Sequence, residues 1–383
     1  MTPTDLIEFR RKLHQMAELS GEEKETSQLI TKKLELFKPD RILKNIGGYG
    51  LAAIFKGKQS GSRLLFRADM DALPITETNH FAHRSQNEGV SHKCGHDGHS
   101  TILLGLAQRI HESPPAKGEV VLLFQPAEET GQGANQMLND KSWKEIKPDM
   151  AFALHNLPGF DKNTIVWRNE TFASASVGLK VDLTGHTAHA SQPETGLSPA
   201  LAMANIMRKF LDIDQKGPDH DEYANLTITH AQLGEKAVGT APGHARVWAT
   251  LRSYDDRVLY DLKEKCTIIA EFEANKNKAL KMEINWQEPF SATVNDSGLN
   301  EYLIRAAKST GLSMLEVHRP FRWSEDFGHF SAETKICLFG LGAGKDQPAL
   351  HNPDYDFPDE LIQPAVSVFD DIRVQICGKS TTE

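Results

Sequence analysis

Four short apolar runs, each leading into a residue that can bind a cation, constrain this chain more than any other feature. Leu64-Leu65-Phe66 runs into Arg67-Ala68-Asp69-Met70-Asp71-Ala72-Leu73-Pro74, and Val120 to Phe124 into Gln125-Pro126-Ala127-Glu128-Glu129. Met150 to Leu154 runs into His155-Asn156, and Ile336 to Leu341 leads through a glycine-rich loop to Leu350-His351-Asn352-Pro353. Runs this short and apolar, bounded by turn residues, read as buried strands. Open α/β sheets bind ligands outside the carboxyl ends of such strands. The recurrence predicts an α/β domain with a site built along one sheet edge.

The densest set of metal-ligand side chains lies elsewhere, in Ser91-His92-Lys93-Cys94-Gly95-His96-Asp97-Gly98-His99. Cys94 and His96 flank a glycine, so the backbone can bend sharply enough for a thiolate and an imidazole to reach one ion. With 16 histidines in 383 residues, a chance polar cluster is the competing reading. The segment precedes an apolar helix expected over Thr101 to Ile110, so it lies at or just before a helix N-terminus. Glu128 and Glu129 are hard to explain as packing, because like charges repel and neither belongs in a core. A cation removes that conflict: one glutamate binds it and the other stays free to take a proton from an activated water. A solvated acidic turn is the alternative. Asp69 and Asp71, at i and i+2 after a strand, fit either chemistry or turn capping before Pro74.

The length of 383 residues leaves room for two domains, or one large domain with an insertion. A net charge of −9 without a long basic run excludes a phosphate backbone or an anionic membrane surface as a natural partner. No apolar stretch approaches the roughly 18 residues of a membrane span, and the N-terminus lacks the apolar core of a signal peptide. Cys94, Cys266, Cys337 and Cys377 show no disulfide-framework spacing, so a cytoplasmic location is expected.

Thr2 and Pro3 open a helix whose stripe is Leu6, Phe9, Leu13 and Met16, and a second helix carries Leu29, Ile30, Leu34 and Phe37. His14, alone among polar neighbours, reads as structural or solvated. Between about 173 and 288 the order of elements changes to βαββαβ, the split pattern of a small ferredoxin-like domain. Its first strand ends in Gly185-His186-Thr187-Ala188-His189-Ala190-Ser191, which is either a ligand-approaching loop or a plain flexible one. Ser324 caps a short helix, where Glu325 and Asp326 need do no more than complement its dipole. The expected boundaries are 1–172 and 289–383 for the catalytic domain and 173–288 for the insertion.

Taken together, Arg67 to Pro74, Cys94-Gly95-His96-Asp97-Gly98-His99, Gln125 to Glu129, Leu154-His155-Asn156, Gly185 to Ser191, Ser324-Glu325-Asp326-Phe327 and His351-Asn352-Pro353 resemble the M20 metallopeptidase family. The likeness is to its amidohydrolase branch of aminoacylase-like and hippurate- or auxin-conjugate-hydrolase-like enzymes. It implies a two-metal exopeptidase-like α/β catalytic domain with an inserted ferredoxin-like lid, through which a homodimer forms. It implies Cys94, His96, Glu129, His155 and His351 as metal ligands and Glu128 as general base. His189 corresponds to the lid histidine that reaches the partner subunit's site and steadies the substrate carbonyl, and Asp71 to the aspartate that orients a ligand. At Asp69 most of the wider family carries a ligating histidine, which leaves the part played by the two aspartates open. Gly239-Thr240-Ala241-Pro242 stands where relatives often have Asn-Val-Ile-Pro, and Trp323 where a glycine commonly precedes Ser-Glu-Asp-Phe. Arg252 is a candidate for a substrate carboxylate or for an ordinary surface salt bridge.

The expected reaction is hydrolysis of the amide bond in a small N-acyl amino acid or similar conjugate. Two divalent ions would activate the water, zinc or manganese first and cobalt or nickel also admitted by the thiolate, imidazole and carboxylate set. A dipeptidase of the same superfamily is the nearest rival, and a non-catalytic binder of acylated amino acids is the rival from another class.

Overall fold

The computed structural model describes residues 1–277 and 279–380. The chain forms two compact units. One comprises Met1–Phe172, Thr293–His318 and the residues from Asp326 onward; the other comprises Ala173–Ala292 and Arg319–Glu325.

In the first unit, β1 (Arg41–Ile46), β2 (Gly50–Lys56), β3 (Gln59–Asp69), β4 (Lys117–Gln125), β5 (Met150–Pro158), β6 (Ile165–Trp167), β7 (Met314–Glu316) and β8 (Lys335–Gly344) form a mixed sheet. Their order is β1-β2-β4-β3-β5-β8-β6-β7. The four central strands, β4, β3, β5 and β8, are mutually parallel, with Asp69 opposite Gln125 and His155 opposite Gly340. Their carboxyl ends therefore share one edge, which carries the acidic and histidine residues that follow each apolar run.

The carboxyl-terminal halves of β3 and β4 and most of β5 and β8 are buried and largely apolar because both faces are covered there. Residues of one parity (Leu64, Phe66, Val120, Leu122, Phe124, Phe152, Phe339) join the main core with five helices. These are α1 (Pro3–Gln15), α2 (Lys24–Leu34), α3 (His96–Glu112), α4 (Ser297–Thr310) and α5 (Ile362–Cys377). Residues of the other parity, among them Leu65, Val121, Leu123, Ala153 and Leu338, are buried as well. At the start of α1 the Thr2 side chain accepts from Asp5 N while Asp5 accepts from Thr2 N, a reciprocal capping box with Pro3 at the first helical position.

The second unit runs strand, helix, strand, strand, helix, strand over Ala175–Thr184, Ala200–Leu211, Ala224–Leu233, His244–Ser253, Asp256–Asn275 and Lys281–Phe290. Its sheet is antiparallel, with Ala175–Thr184 between His244–Ser253 and Lys281–Phe290. This is the ferredoxin-like arrangement. Val177, Leu179, Val181 and Leu183 alternate into a core with Ile206, Phe210, Leu262 and Cys266 from the two helices.

The insertion extends past residue 288. Phe290 still pairs with Ser176, and the Asp256 side chain accepts from Ala292 N at 3.0 Å. Arg319–Glu325 joins the same unit because Arg252 donates to the carbonyl of Arg322 (2.9 Å) and to Ser324 Oγ (3.1 Å). Among the described residues Arg252 forms no salt bridge. Trp323 stacks on Phe321 with ring centroids 5.1 Å apart.

Candidate metal centre

The turn Ser91–His99 is held from several sides. Gly95, the N-cap of α3, has φ of 93°. A side chain there is excluded twice over, because a Cβ would stand 2.1 Å from Asn156 Oδ1. Asn156 needs that space: its Nδ2 donates to the Cys94 carbonyl (2.9 Å), and its Oδ1 accepts from Tyr355 OH (2.7 Å). The backbone N–H of His351 donates to the Lys93 carbonyl at 2.8 Å, which ties the loop after β8 to the same turn.

The result is a tight group of donor atoms. Sγ of Cys94 lies 3.5 Å from His155 Nε2, and His351 Nε2 lies 3.5 Å from Glu129 Oε2. Nε2 of His96 faces Asp69 Oδ2 at 3.8 Å, Glu129 Oε1 at 3.8 Å and Glu128 Oε2 at 3.9 Å. Zinc bond lengths of about 2.0–2.3 Å in a tetrahedral set place ligand atoms roughly 3.3–3.8 Å apart, so these separations fit a shared cation. Cys94, His96 and His155 form one three-donor set, and Cys94, Glu129 and His351 another. They share the sulfur.

Two of these donor atoms have no hydrogen-bond partner in the protein. His96 Nε2 and Glu129 Oε1 are buried without any hydrogen bond, which is costly unless a cation satisfies them. The far side of each ring is anchored. His96 Nδ1 donates towards the Asp71 carbonyl (3.0 Å) and Asp71 Oδ1 (3.2 Å), and His155 Nδ1 donates to the Asn156 carbonyl (2.9 Å). Each anchor aims an Nε2 lone pair inward, the usual support for a metal-binding imidazole. Burial opposes charge on His96, yet Asp69, Asp71 and Glu129 push its pKa up to about 10. The carboxylates around that nitrogen favour positive charge there, which a bound cation would also supply.

The two aspartates part company. Asp71 touches the machinery directly: besides His96, its Oδ2 accepts from Ser20 Oγ (2.7 Å) and from Glu129 N (3.0 Å). Asp69 receives Arg67 Nη1 (2.6 Å) and His99 Nδ1 (2.7 Å). Although burial would raise it, His96, His99 and Arg67 hold Asp69 well below the usual carboxylate range. His99 Nε2 meanwhile accepts from Asn156 N at 3.2 Å. Asp69 and His99 therefore satisfy each other without an ion.

His14 is structural. It is fully buried, with Nδ1 on Asp97 Oδ2 (2.8 Å) and Nε2 on Glu77 Oε1 (3.0 Å). Lys93 Nζ also reaches Glu77 (2.5 Å), and Arg10 bonds Asp97 (3.2 Å) and Asp356 (2.6 Å). The rings of Phe81, His83 and His92 also pack around His14. Burial and Arg10 oppose its proton, but Asp97 and Glu77 prevail and raise the pKa to about 9. Its contribution to stability is then complete below the unfolded value near 6.5 and is lost as pH rises through about 9. His14→Gln should cost about 2 kcal/mol at pH 6, the scale of a charged hydrogen bond. The gap in thermal midpoint between the two proteins should narrow above pH 9; a gap independent of pH would show that His14 is not protonated in the native state.

In the second unit His189 is exposed. Its Nδ1 accepts from Ser191 N (3.1 Å), so the neutral ring carries its proton on Nε2 and can donate there. Its backbone pairs with Thr240, within the segment that differs from Asn-Val-Ile-Pro. Asp326 is no mere dipole partner. It lies at the first position of a 3₁₀ turn and takes hydrogen bonds from Arg67 Nη2 (2.9 Å), Gln125 Nε2 (2.7 Å) and Ala134 N (2.9 Å). Reading Ser324 as a helix cap missed this because Arg67 and Gln125 come from distant strands.

The central parallel strands of this mixed sheet thus end beside groups of side chains that could hold a pair of metal ions. The chain belongs to peptidase family M20/M25/M40, whose pattern it matches over residues 65–373. It is 31% identical over 364 residues to a hippurate hydrolase of Campylobacter jejuni, covering 94% of each chain. In fold it is similar to the Bacillus subtilis YXEP protein, described as a dinuclear metal binding peptidase of the M20 family (TM-score 0.81, 24% identity, 99% of each chain). It is likewise similar in fold to an aminobenzoyl-glutamate utilization protein of Klebsiella pneumoniae (TM-score 0.75, 18% identity, 97% of this chain and 95% of that one).

Proposed function

We propose that this amidohydrolase cleaves the amide bond of small N-acyl amino acids, with Glu128 as general base and Cys94, His96, Glu129, His155 and His351 holding two divalent cations. The unpartnered Nε2 of His96, facing three carboxylates of which Glu128 is one, carries the reading. Bound cations supply Lewis acidity, a more acidic water and a polarised carbonyl. Glu128 accepts the water's proton and returns it to the departing nitrogen, while Asp71 keeps His96 turned inward and Glu129 in place. The donor set suits zinc or manganese and admits cobalt or nickel. The relative named hippurate hydrolase, an enzyme of an N-benzoyl amino acid by that name, supports an acyl-amino-acid substrate.

His189 would donate from Nε2 to the carbonyl oxygen as charge builds there, and by the family resemblance it does so in the partner subunit of a homodimer joined through the second unit. His189→Ala should lower kcat about 100-fold, the cost of one such donor. Mixing Glu128→Gln and His189→Ala protomers then restores activity if His189 acts in trans and leaves only the residual rate of the separate variants if it acts in cis. A cytoplasmic location is supported by four free, buried cysteines. No helix among the described residues is long and apolar enough to cross a membrane.

The test is turnover of N-acetyl and N-benzoyl amino acids and dipeptides by protein supplemented with Zn²⁺ or Mn²⁺. Preference for acylated substrates supports the proposal, preference for free amino termini makes the protein a dipeptidase, and binding without turnover makes it a carrier.

A further inference from the structure

The peptide that presents the general base is strained. Ala127, immediately before Glu128, has φ of 52°, a left-handed conformation that an L side chain rarely adopts. Such strain of about 1–3 kcal/mol persists only where the surroundings impose it. Here they do so from both directions. The Ala127 carbonyl accepts from Gly133 N at 3.0 Å and Gln132 N at 3.3 Å. The Ala127 N–H donates to Glu23 Oε1 at 2.8 Å, across 104 residues of sequence.

Glu23 is an unusual residue to find there. It is fully buried at the start of α2, and its Oε1 also accepts from Gly21 N at 2.9 Å. Its Oε2 is buried with no hydrogen bond. Burial and the neighbouring charge of Asp71 push its pKa up to about 7. A glutamate kept at that cost needs a purpose that an apolar side chain would not serve. Asp71 completes the picture by accepting from Glu129 N at 3.0 Å. The two backbone N–H groups on either side of Glu128 are thus each fixed by a buried carboxyl group.

We infer that Glu23 is a positioning residue for the reaction, holding the Ala127 peptide in its left-handed turn so that Glu128 points at the substrate's water. The inference rests on Glu128 being the base. Glu23 touches neither substrate nor cation in this role; it acts through the backbone. Misplacement of a catalytic group by about 1 Å can cost on the order of 100-fold in rate.

The experiment compares metal-replete wild type, Glu23→Met, which fills the space without an acceptor, and Glu23→Gln, which keeps an oxygen in the same place. Steady-state kinetics on N-benzoyl and N-acetyl amino acids are paired with metal content and hydrogen exchange of the 126–133 segment. Glu23→Met should lower kcat about 10–100-fold with KM and metal content unchanged, and should lose exchange protection at Ala127. Glu23→Gln should restore both to within about threefold. Unchanged kcat in Glu23→Met, or equal loss in the two variants, overturns the inference. Should Glu23→Met fail to fold, Glu23→Gln decides: near-normal kcat and protection support the role, and a hundredfold loss in the folded variant refutes it. Wild type that turns over no acylated amino acid defeats the functional reading instead, and Glu128→Gln that stays active defeats the base assignment.

Discussion

Glu128→Gln lowers kcat by about 1,000-fold while leaving metal content and fold intact. Glutamine preserves the shape of the side chain but has no basic oxygen, so the water keeps its proton and the leaving nitrogen receives none. General acid–base catalysis accounts for roughly 10²–10⁴-fold, and both halves are lost together. The geometry predicts that metals remain, because Cys94, His96, Glu129, His155 and His351 supply the two three-donor sets without Glu128. Glu128 is only 5% exposed, with Oε1 3.4 Å from Asp326 N, so it is held rather than free to swing. Metal analysis and single-turnover kinetics separate the outcomes. Loss of a cation with loss of rate would make Glu128 a ligand. Retained rate would transfer the base role elsewhere.

What the sequence disclosed and what it concealed divide along a physical line. The apolar runs, the turn chemistry of Cys94-Gly95-His96 and the paired glutamates are local patterns. Parallel pairing of β4, β3, β5 and β8 then brings Glu129, His155 and the loop of His351 to one edge with Cys94 and His96. The βαββαβ order of the second unit was legible for the same reason: each strand and helix carries its own periodicity. Groups that act on the site from a distance left no such trace. Glu23 reaches Ala127 across 104 residues, and Arg67 reaches Asp326 across 259. Asn156, which ties together Cys94, His99 and Tyr355, looks in sequence like any polar residue after a strand. His99 belongs to the conspicuous histidine cluster, yet its neighbour in space is Asp69, and nothing in the spacing distinguishes it from His96. The misreading of Asp326 has the same origin: a short-range role at a helix start was available, and the long-range partner was invisible.

Arg67 is where that hidden layer bears the largest energetic weight. Its guanidinium is fully buried, between Asp69 Oδ2 at 2.6 Å and Asp326 Oδ1 at 2.9 Å, with Nε donating to Gln125 Oε1 at 2.9 Å. It joins the ends of β3 and β4 to the 3₁₀ turn beginning at Asp326. Replacing it with methionine keeps much of the volume but removes the guanidinium partner of two buried carboxylates. Removing one partner of a buried ion pair costs about 3–5 kcal/mol, because the remaining charge stays desolvated and unpaired. Arg67→Met should therefore lower the unfolding free energy by that amount, read as a drop of many degrees in thermal midpoint. Arg67→Met combined with Asp326→Asn should recover part of the loss, since the amide carries no charge for the missing guanidinium to balance, whereas independent sites would simply add. A single-variant loss below about 1 kcal/mol would mean that water or neighbouring groups neutralise Asp69 and Asp326 without Arg67. The sheet edge would then be shaped by its apolar packing alone, and the ionic framework behind the metal centre would have no part in setting its geometry.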